Sequence, residues 1–258
     1  MTKEVTTPEE QSVHQAVPYI APDDSGMDDL DSSDFSVPML RLLQPLSKNV
    51  LSPPDHLKDK LKAGLVLNNL TEDVSEEVDI VFATIRKVYI EWVPASKGGG
   101  MQGIYHKGDP FLTQFHTSEL EKACVKLTNG NDLVKTLYMY GVQIDADGNT
   151  TPVVIPMSKT QLKPAAKILG NVKLRKFTRD GLSIPTGLNR VQFKLGTVSR
   201  TNDKGTWYVW VIKDTKLIDE TATQEDEALY NEAVSLSHAI KSGEHDIEPD
   251  AKNPDGPF

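Results

Sequence analysis

A mainly β, α+β fold is predicted by three observations on this 258-residue chain. The first is an uninterrupted strand-type run, Val78 to Trp92, in which Val78, Ile80, Phe82 and then Val88, Ile90, Trp92 share one parity. The second is a pair of hairpin signals. Asp145-Ala146-Asp147-Gly148-Asn149 separates Lys135–Ile144 from Pro152–Met157, and Asn202-Asp203-Lys204-Gly205 separates the alternating Val191, Phe193, Leu195 from Thr206-Trp207-Tyr208-Val209-Trp210-Val211. The third is the length of the first run, because a strand that long bends. Long curved strands suit a small barrel of the oligonucleotide-binding (OB) type with inserted helices, although an antiparallel sandwich also uses them.

Taken in order, Met1 to Asp34 combines Pro8, Pro18 and Pro22 with an acidic run from Asp23 to Asp34, which predicts a disordered acidic arm over 1–36. Order is expected to begin at Val37-Pro38-Met39-Leu40-Arg41-Leu42-Leu43-Gln44, a dense apolar segment that suits a strand or a short helix and is broken by Pro45, Pro53 and Pro54. Gly64 to Asn68 reads as a short strand. Beyond the 78–92 strand, residues 96–103 form a flexible glycine-rich loop, and without Gly-Lys-Ser/Thr it is no phosphate-binding nucleotide loop. Thr117 to Leu127 predicts a helix, with Ser118 as cap, Glu121 three residues on, and Leu120, Cys124 and Leu127 along one face. The Asp145 turn opens like a calcium loop but lacks the glutamate that should follow its glycine, so ordinary turn chemistry is expected.

Ser158 to Leu169 predicts a second helix, with Leu162, Ala165, Ala166 and Leu169 inward and Lys159, Lys163 and Lys167 outward. Pro164 moves its start toward Lys163. The body, 37–219, is followed by an amphipathic helix within 220–243, roughly Gln224 to Lys241, striped by Ala228, Leu229, Ala233, Leu236 and Ile240. Residues 244–258 form an acidic tail broken by Pro249, Pro254 and Pro257.

Charge divides sharply along this order. The net charge is −9, yet residues 1–36 hold one Lys against nine acids, residues 218–258 hold two against eleven, and the middle keeps 25 Lys and Arg against 17 acids. Within Lys159–Lys216 thirteen cations face only Asp180, Asp203 and Asp214. A basic body between acidic ends is the pattern of a polyanion binder whose tails compete for its own groove, and also that of plain solubilising tails. Cations and aromatics share the last hairpin, as single-stranded nucleic acid requires: cations follow phosphates and rings stack on bases at roughly 1–3 kcal/mol each. The expected contacts are Lys159, Lys163, Lys173, Arg175, Lys176, Arg179, Arg190, Lys194, Arg200 and Lys204, with Trp92, Trp207, Tyr208 and Trp210 as stacking platforms. Alternation sets Trp207 opposite Tyr208 and Trp210, so at least one parity belongs to the core.

Other chemistry is weaker. His106, His116 and Cys124 match no common zinc spacing, and no metal or cofactor is expected. Asp109, Glu119 and Glu121 lack a nucleophile and an orienting partner, which argues against an enzyme. The chain has no run of apolar residues long enough to span a membrane and only one cysteine, so a cytoplasmic, reducing setting is expected.

The C-terminal end, Glu244-His245-Asp246-Ile247-Glu248-Pro249-Asp250 followed by Asp255-Gly256-Pro257-Phe258, resembles the acidic Pro-Phe tip of bacterial single-stranded DNA-binding proteins. Asp255, Pro257 and Phe258 carry the resemblance, diluted by Ala251, Lys252, Asn253 and Pro254, and together with Asp250 they are the expected partner contacts. In that family the tip docks on replication and repair enzymes. The resemblance therefore implies single-stranded DNA and such enzymes as partners, in a bacterial cell, and the sequence leaves room for a homodimer. The body is about twice the length of the bacterial domain and looks more like a phage-encoded relative. A phage structural or host-takeover protein without nucleic-acid binding, or a DNA-processing nuclease, remains the alternative reading.

Overall fold

The dense apolar residues after Pro38 enter an edge strand, β1 (Leu40–Leu42), which pairs antiparallel with β2 (Val66–Asn68), and β2 with β3 (Val74–Ser75). A short helix, α1 (Lys48–Leu51), lies between β1 and β2. The computed structural model describes residues 37–179, 181–203, 205–219 and 221–242. The long run forms strand β4 (Val78–Trp92) over the bounds its alternation predicts. Then follow β5 (Met101–His106), α2 (Thr117–Leu120), β6 (Cys124–Lys126), β7 (Asp132–Ile144) and β8 (Thr150–Ser158). The chain ends with α3 (Leu162–Leu174), the hairpin β9 (Lys176–Arg179) and β10 (Leu182–Pro185), the hairpin β11 (Val191–Asn202) and β12 (Gly205–Leu217), and α4 (Gln224–Ser242).

β4 and β7 pair along their whole length and form the spine of a seven-stranded sheet. Residues 78–81 of β4 also hold β11, which carries β12, while residues 88–92 hold β5 on that same side. β8 and β6 share the free side of β7. The sheet is therefore mainly β and antiparallel, with order β12-β11-β4-β7-β8 at one end.

Both faces are covered. On one, Ile80, Phe82, Met139, Ile155, Met157, Phe193, Leu195 and Trp210 pack against Ala165, Ile168 and Val172 of α3. On the other, Val81, Val88, Ile90, Tyr138, Tyr140 and Val142 pack against Ala233, Leu236 and Ile240 of α4. The single parity expected along β4 fails here. Ala83 sits opposite no residue of β7 between the pairs Phe82–Gly141 and Thr84–Tyr140, and this bulge reverses the alternation. Ile80 and Phe82 face α3, whereas Val88, Ile90 and Trp92 face the side of α4.

The predicted barrel is not closed: no ladder joins β8 to β12. Residues 38–44 cross the gap between them. Met39 makes one parallel bridge to Val154 of β8, and the Gln44 side-chain amide grips the β12 backbone, donating to Tyr208 O at 3.0 Å and accepting from Tyr208 N at 2.8 Å. Close approach at this seam requires glycine at position 64: its φ is +93°, and a Cβ there would lie 2.4 Å from the Tyr208 ring.

Three other expectations change. The helix proposed over Thr117–Leu127 is only the four-residue α2, since Asn129-Gly130 makes a turn that folds Cys124–Lys126 back onto β7 as β6. The glycine loop ends earlier than 103, with Met101–His106 captured by the second half of β4. Ala228 lies off the stripe of α4; Asp226 is buried in its place and paired with Lys216 at 2.8 Å. α3 starts at Leu162 after a 3₁₀ turn, close to where Pro164 had placed it. At the Asp145 turn the carboxylate accepts from Asn149 Nδ2, Asn149 N and Asp147 N, bonds that hold its pKa below the ordinary value. No helix among the described residues is long and apolar enough to cross a membrane.

The end of the sheet away from β11 contains a polar knot under an aromatic cluster. Glu91, only 4% exposed, accepts from Tyr105 Oη at 2.8 Å, Asn129 Nδ2 at 2.9 Å and Asn131 Nδ2 at 2.6 Å. Tyr105 stacks on Phe111 with ring centroids 4.0 Å apart.

Candidate nucleic-acid interface

Cross-strand register decides which hairpin residues share a face. Arg200 pairs with Trp207, Val198 with Val209 and Gly196 with Val211, so these lie together, and Thr197 with Trp210 lies opposite. The Trp210 parity is the buried one, with Trp210 only 3% exposed and Leu195 fully buried. Trp207 is half-buried and remains at the surface.

The turn before α3 meets the free edge of β12 here. Gln161 grips that edge with its amide, donating to Tyr208 O at 2.8 Å and accepting from Trp210 N at 3.2 Å. Between α3 and the hairpin lies a groove of about 460 Å³. Lys159, Lys163 and Lys167 stand on its helical wall and Arg200 with Trp207 on its sheet wall; Ile168, Val198, Val209 and Trp210 contribute apolar lining. The i, i+4 spacing of Lys163 and Lys167 places both on one face of α3. Lys163, Lys167 and Arg200 are exposed and have no ion-pair partner among the described residues. An open trough of cations beside a ring suits a polyanion that also presents flat apolar groups.

Of the sequence-predicted contacts, the groove gathers Lys159, Lys163, Arg200, Trp207 and, as core-anchored lining, Trp210. Lys173 and Lys176 are exposed beyond it, at the end of α3 and the start of β9. Several others are engaged within the fold. Lys194 is paired with Asp79 at 2.8 Å, which raises the pKa of its ammonium. The Arg190 guanidinium lies 4.5 Å from the ring centres of both Phe177 and Tyr230, and Arg175 bonds the Thr215 hydroxyl. Tyr208 is half-buried under Gly64. Trp92 packs on the α4 side at the far end of β4, away from the groove, with its indole N–H buried and unbonded. The side chain of Arg179, all of Lys204, and the tail residues Asp250, Asp255, Pro257 and Phe258 lie outside the described residues, as do residues 1–36.

Lys167 belongs to the site although it was not among the predicted contacts; its spacing from Lys163 was the available signal. Gln161 and Gln44 had none, since glutamines that clamp a strand edge look like any surface amide in a sequence. No group of three or more His, Cys, Asp or Glu among the described residues is arranged to hold a metal ion, and His106, His116 and Cys124 form no such group.

The model of a phage-derived family, Pam3 phage gp34-like protein, matches residues 7–246. The chain belongs to this family. The match spans the groove, both covering helices and the strap at 38–44. No curated protein and no solved structure matches the chain.

Proposed function

We propose that this phage protein binds and coats single-stranded DNA, without much sequence preference, in the groove between α3 and the β11–β12 hairpin. The observation that carries the reading is Trp207 at the mouth of a trough walled by Lys159, Lys163, Lys167 and Arg200. Cations there neutralise successive phosphates while the indole stacks on a base, and nothing in this mechanism requires catalysis. The OB-like reading of the body rests on the antiparallel β12-β11-β4-β7-β8 order and the strap at 38–44 across its gap. The setting is the cytoplasm of a bacterial host during phage replication or recombination.

Titration with oligo-dT tests this directly. Tryptophan fluorescence should fall on binding, and log affinity should drop with log salt at a slope steeper than about −2, since each single-strand phosphate neutralised contributes roughly −0.7. The quench should survive Trp92→Phe and vanish in Trp207→Leu. An affinity indifferent to salt rejects the reading.

The acidic tail ending in Pro257-Phe258 is proposed to recruit replication or recombination enzymes. Phe258→Ala removes a ring but no charge, so enzymes co-purifying from infected cells should be lost while DNA affinity stays unchanged. Retention of every co-purifying protein would make the tail a solubilising segment only.

A further inference from the structure

The outer face of α3 does not end where the groove ends. At 100° per residue Lys163, Lys167, Gly170 and Leu174 fall on one stripe, opposite the buried Ala165, Ile168 and Val172. Lys163 and Lys167 already line the groove. Further along, nothing lies within 4 Å of a Cβ added at Gly170, so the stripe is open there. Leu174 then stands 85% exposed, the most exposed large apolar side chain among the described residues, with the exposed cations Lys173 and Lys176 on either side of it in the chain. α3 contains three lysines and no acid, so its outer face repels no phosphate.

We infer that a bound single strand leaves the groove along this face of α3 and reaches its C-terminal end. There Leu174 gives a base an apolar contact while Lys173 and Lys176 hold phosphates. The inference rests on the single-stranded DNA reading of the groove and extends it: the protein has a second, length-dependent binding segment. Charge complementarity and continuity with the groove favour a continuing strand as the occupant of this face.

A ladder of oligo-dT from three to fifteen nucleotides, titrated at 0.15 M salt against the full chain, separates the two segments. Leu174 lies seven residues beyond Lys167, about 10 Å of helix rise. That exceeds the Debye length of about 8 Å at this salt, so a charge at 174 acts weakly on an oligonucleotide confined to the groove. At so exposed a site Leu174→Asp and Leu174→Lys leave the fold in place. For the longest oligonucleotides Leu174→Asp should weaken binding by about fivefold and Leu174→Lys should strengthen it, as expected for one charge at a partly screened surface. The shortest should bind both variants within about twofold of the parent. Leu70→Asp, at an exposed leucine on the loop between β2 and β3, should change neither. If both Leu174 variants match the parent at every length, or shift short and long oligonucleotides equally, the strand takes another path and the inference falls. If the parent binds no oligonucleotide of any length, the groove reading itself falls and takes this one with it.

Discussion

Replacing Glu91 by alanine is expected to cost about 3–4 kcal/mol of folding stability, the largest single-residue loss we predict outside the apolar core. The carboxylate is buried and is the common acceptor for Tyr105 Oη, Asn129 Nδ2 and Asn131 Nδ2. Removing it breaks three hydrogen bonds to a charged acceptor, each worth roughly 1.5–3 kcal/mol, and leaves the buried Asn131 amide unsatisfied, while the half-buried Tyr105 and exposed Asn129 can turn to water. Relaxation and entering water recover part of that sum. Glu91→Gln keeps the shape and one acceptor, so its loss should be about half as large. Acid makes the two variants diagnostic. Burial pushes the Glu91 pKa up, but the bonds from Asn131, Asn129 and Tyr105 outweigh it and hold the pKa below its ordinary value near 4.5. The ionised form is therefore favoured by folding: its stabilisation is complete above the ordinary value and is lost as pH falls through the folded pKa. Urea midpoints measured from pH 7 down to pH 3 should fall for the parent and fall less steeply for Glu91→Gln, which keeps the acid dependence of Asp145. Burial, followed by the bond to Glu91, raises the Tyr105 hydroxyl to about 12, so its contribution is lost only as pH rises through that value. Parallel acid limbs for parent and Gln variant would show that the Glu91 pKa does not change on folding and would overturn this account.

That knot was invisible in the sequence, and the reason is physical. Glu91 sits one residue before Trp92 at the end of an alternating run, and alternation reports which face a residue takes but not which donors converge there. The strand itself was legible to the residue, and both hairpins were legible in their turns and pairing though not in their bounds, because period-2 patterning and the Gly148 and Gly205 turns act locally. What failed was long-range or one residue deep. The Ala83 bulge reverses two faces with no local signal. Cys124–Lys126 carries a helix-compatible pattern that pairing with β7 overrides. The groove was half legible: lysines at i, i+4 and the Arg200–Trp207 pairing follow from spacing and turn. That α3 lies along the β12 edge depends on Gln161, whose role only the folded chain shows.

The largest functional effect should come from Lys163→Glu combined with Lys167→Glu. Both side chains are exposed, with no ion-pair partner among the described residues, so reversal leaves folding stability within about 0.5 kcal/mol of the parent. It replaces two attractive charges on the helical wall by two repulsive ones. At 0.1 M salt the affinity for oligo-dT should fall by more than about a hundredfold, and the salt slope should lose about 1.4, twice the share of one single-strand phosphate. Trp207→Ala makes the complementary change. It removes a stacking surface worth roughly 1–3 kcal/mol, which is about five- to 150-fold in affinity, and leaves the salt slope where it was. The pair thus separates the two parts of the proposed mechanism by slope against intercept. A double charge reversal that keeps the parent's slope would mean that phosphates pass elsewhere on the molecule. A Trp207→Ala protein that changes slope but not affinity at high salt would mean that the ring only props up Arg200 across the hairpin, and stacking would have to be abandoned as the second source of binding energy.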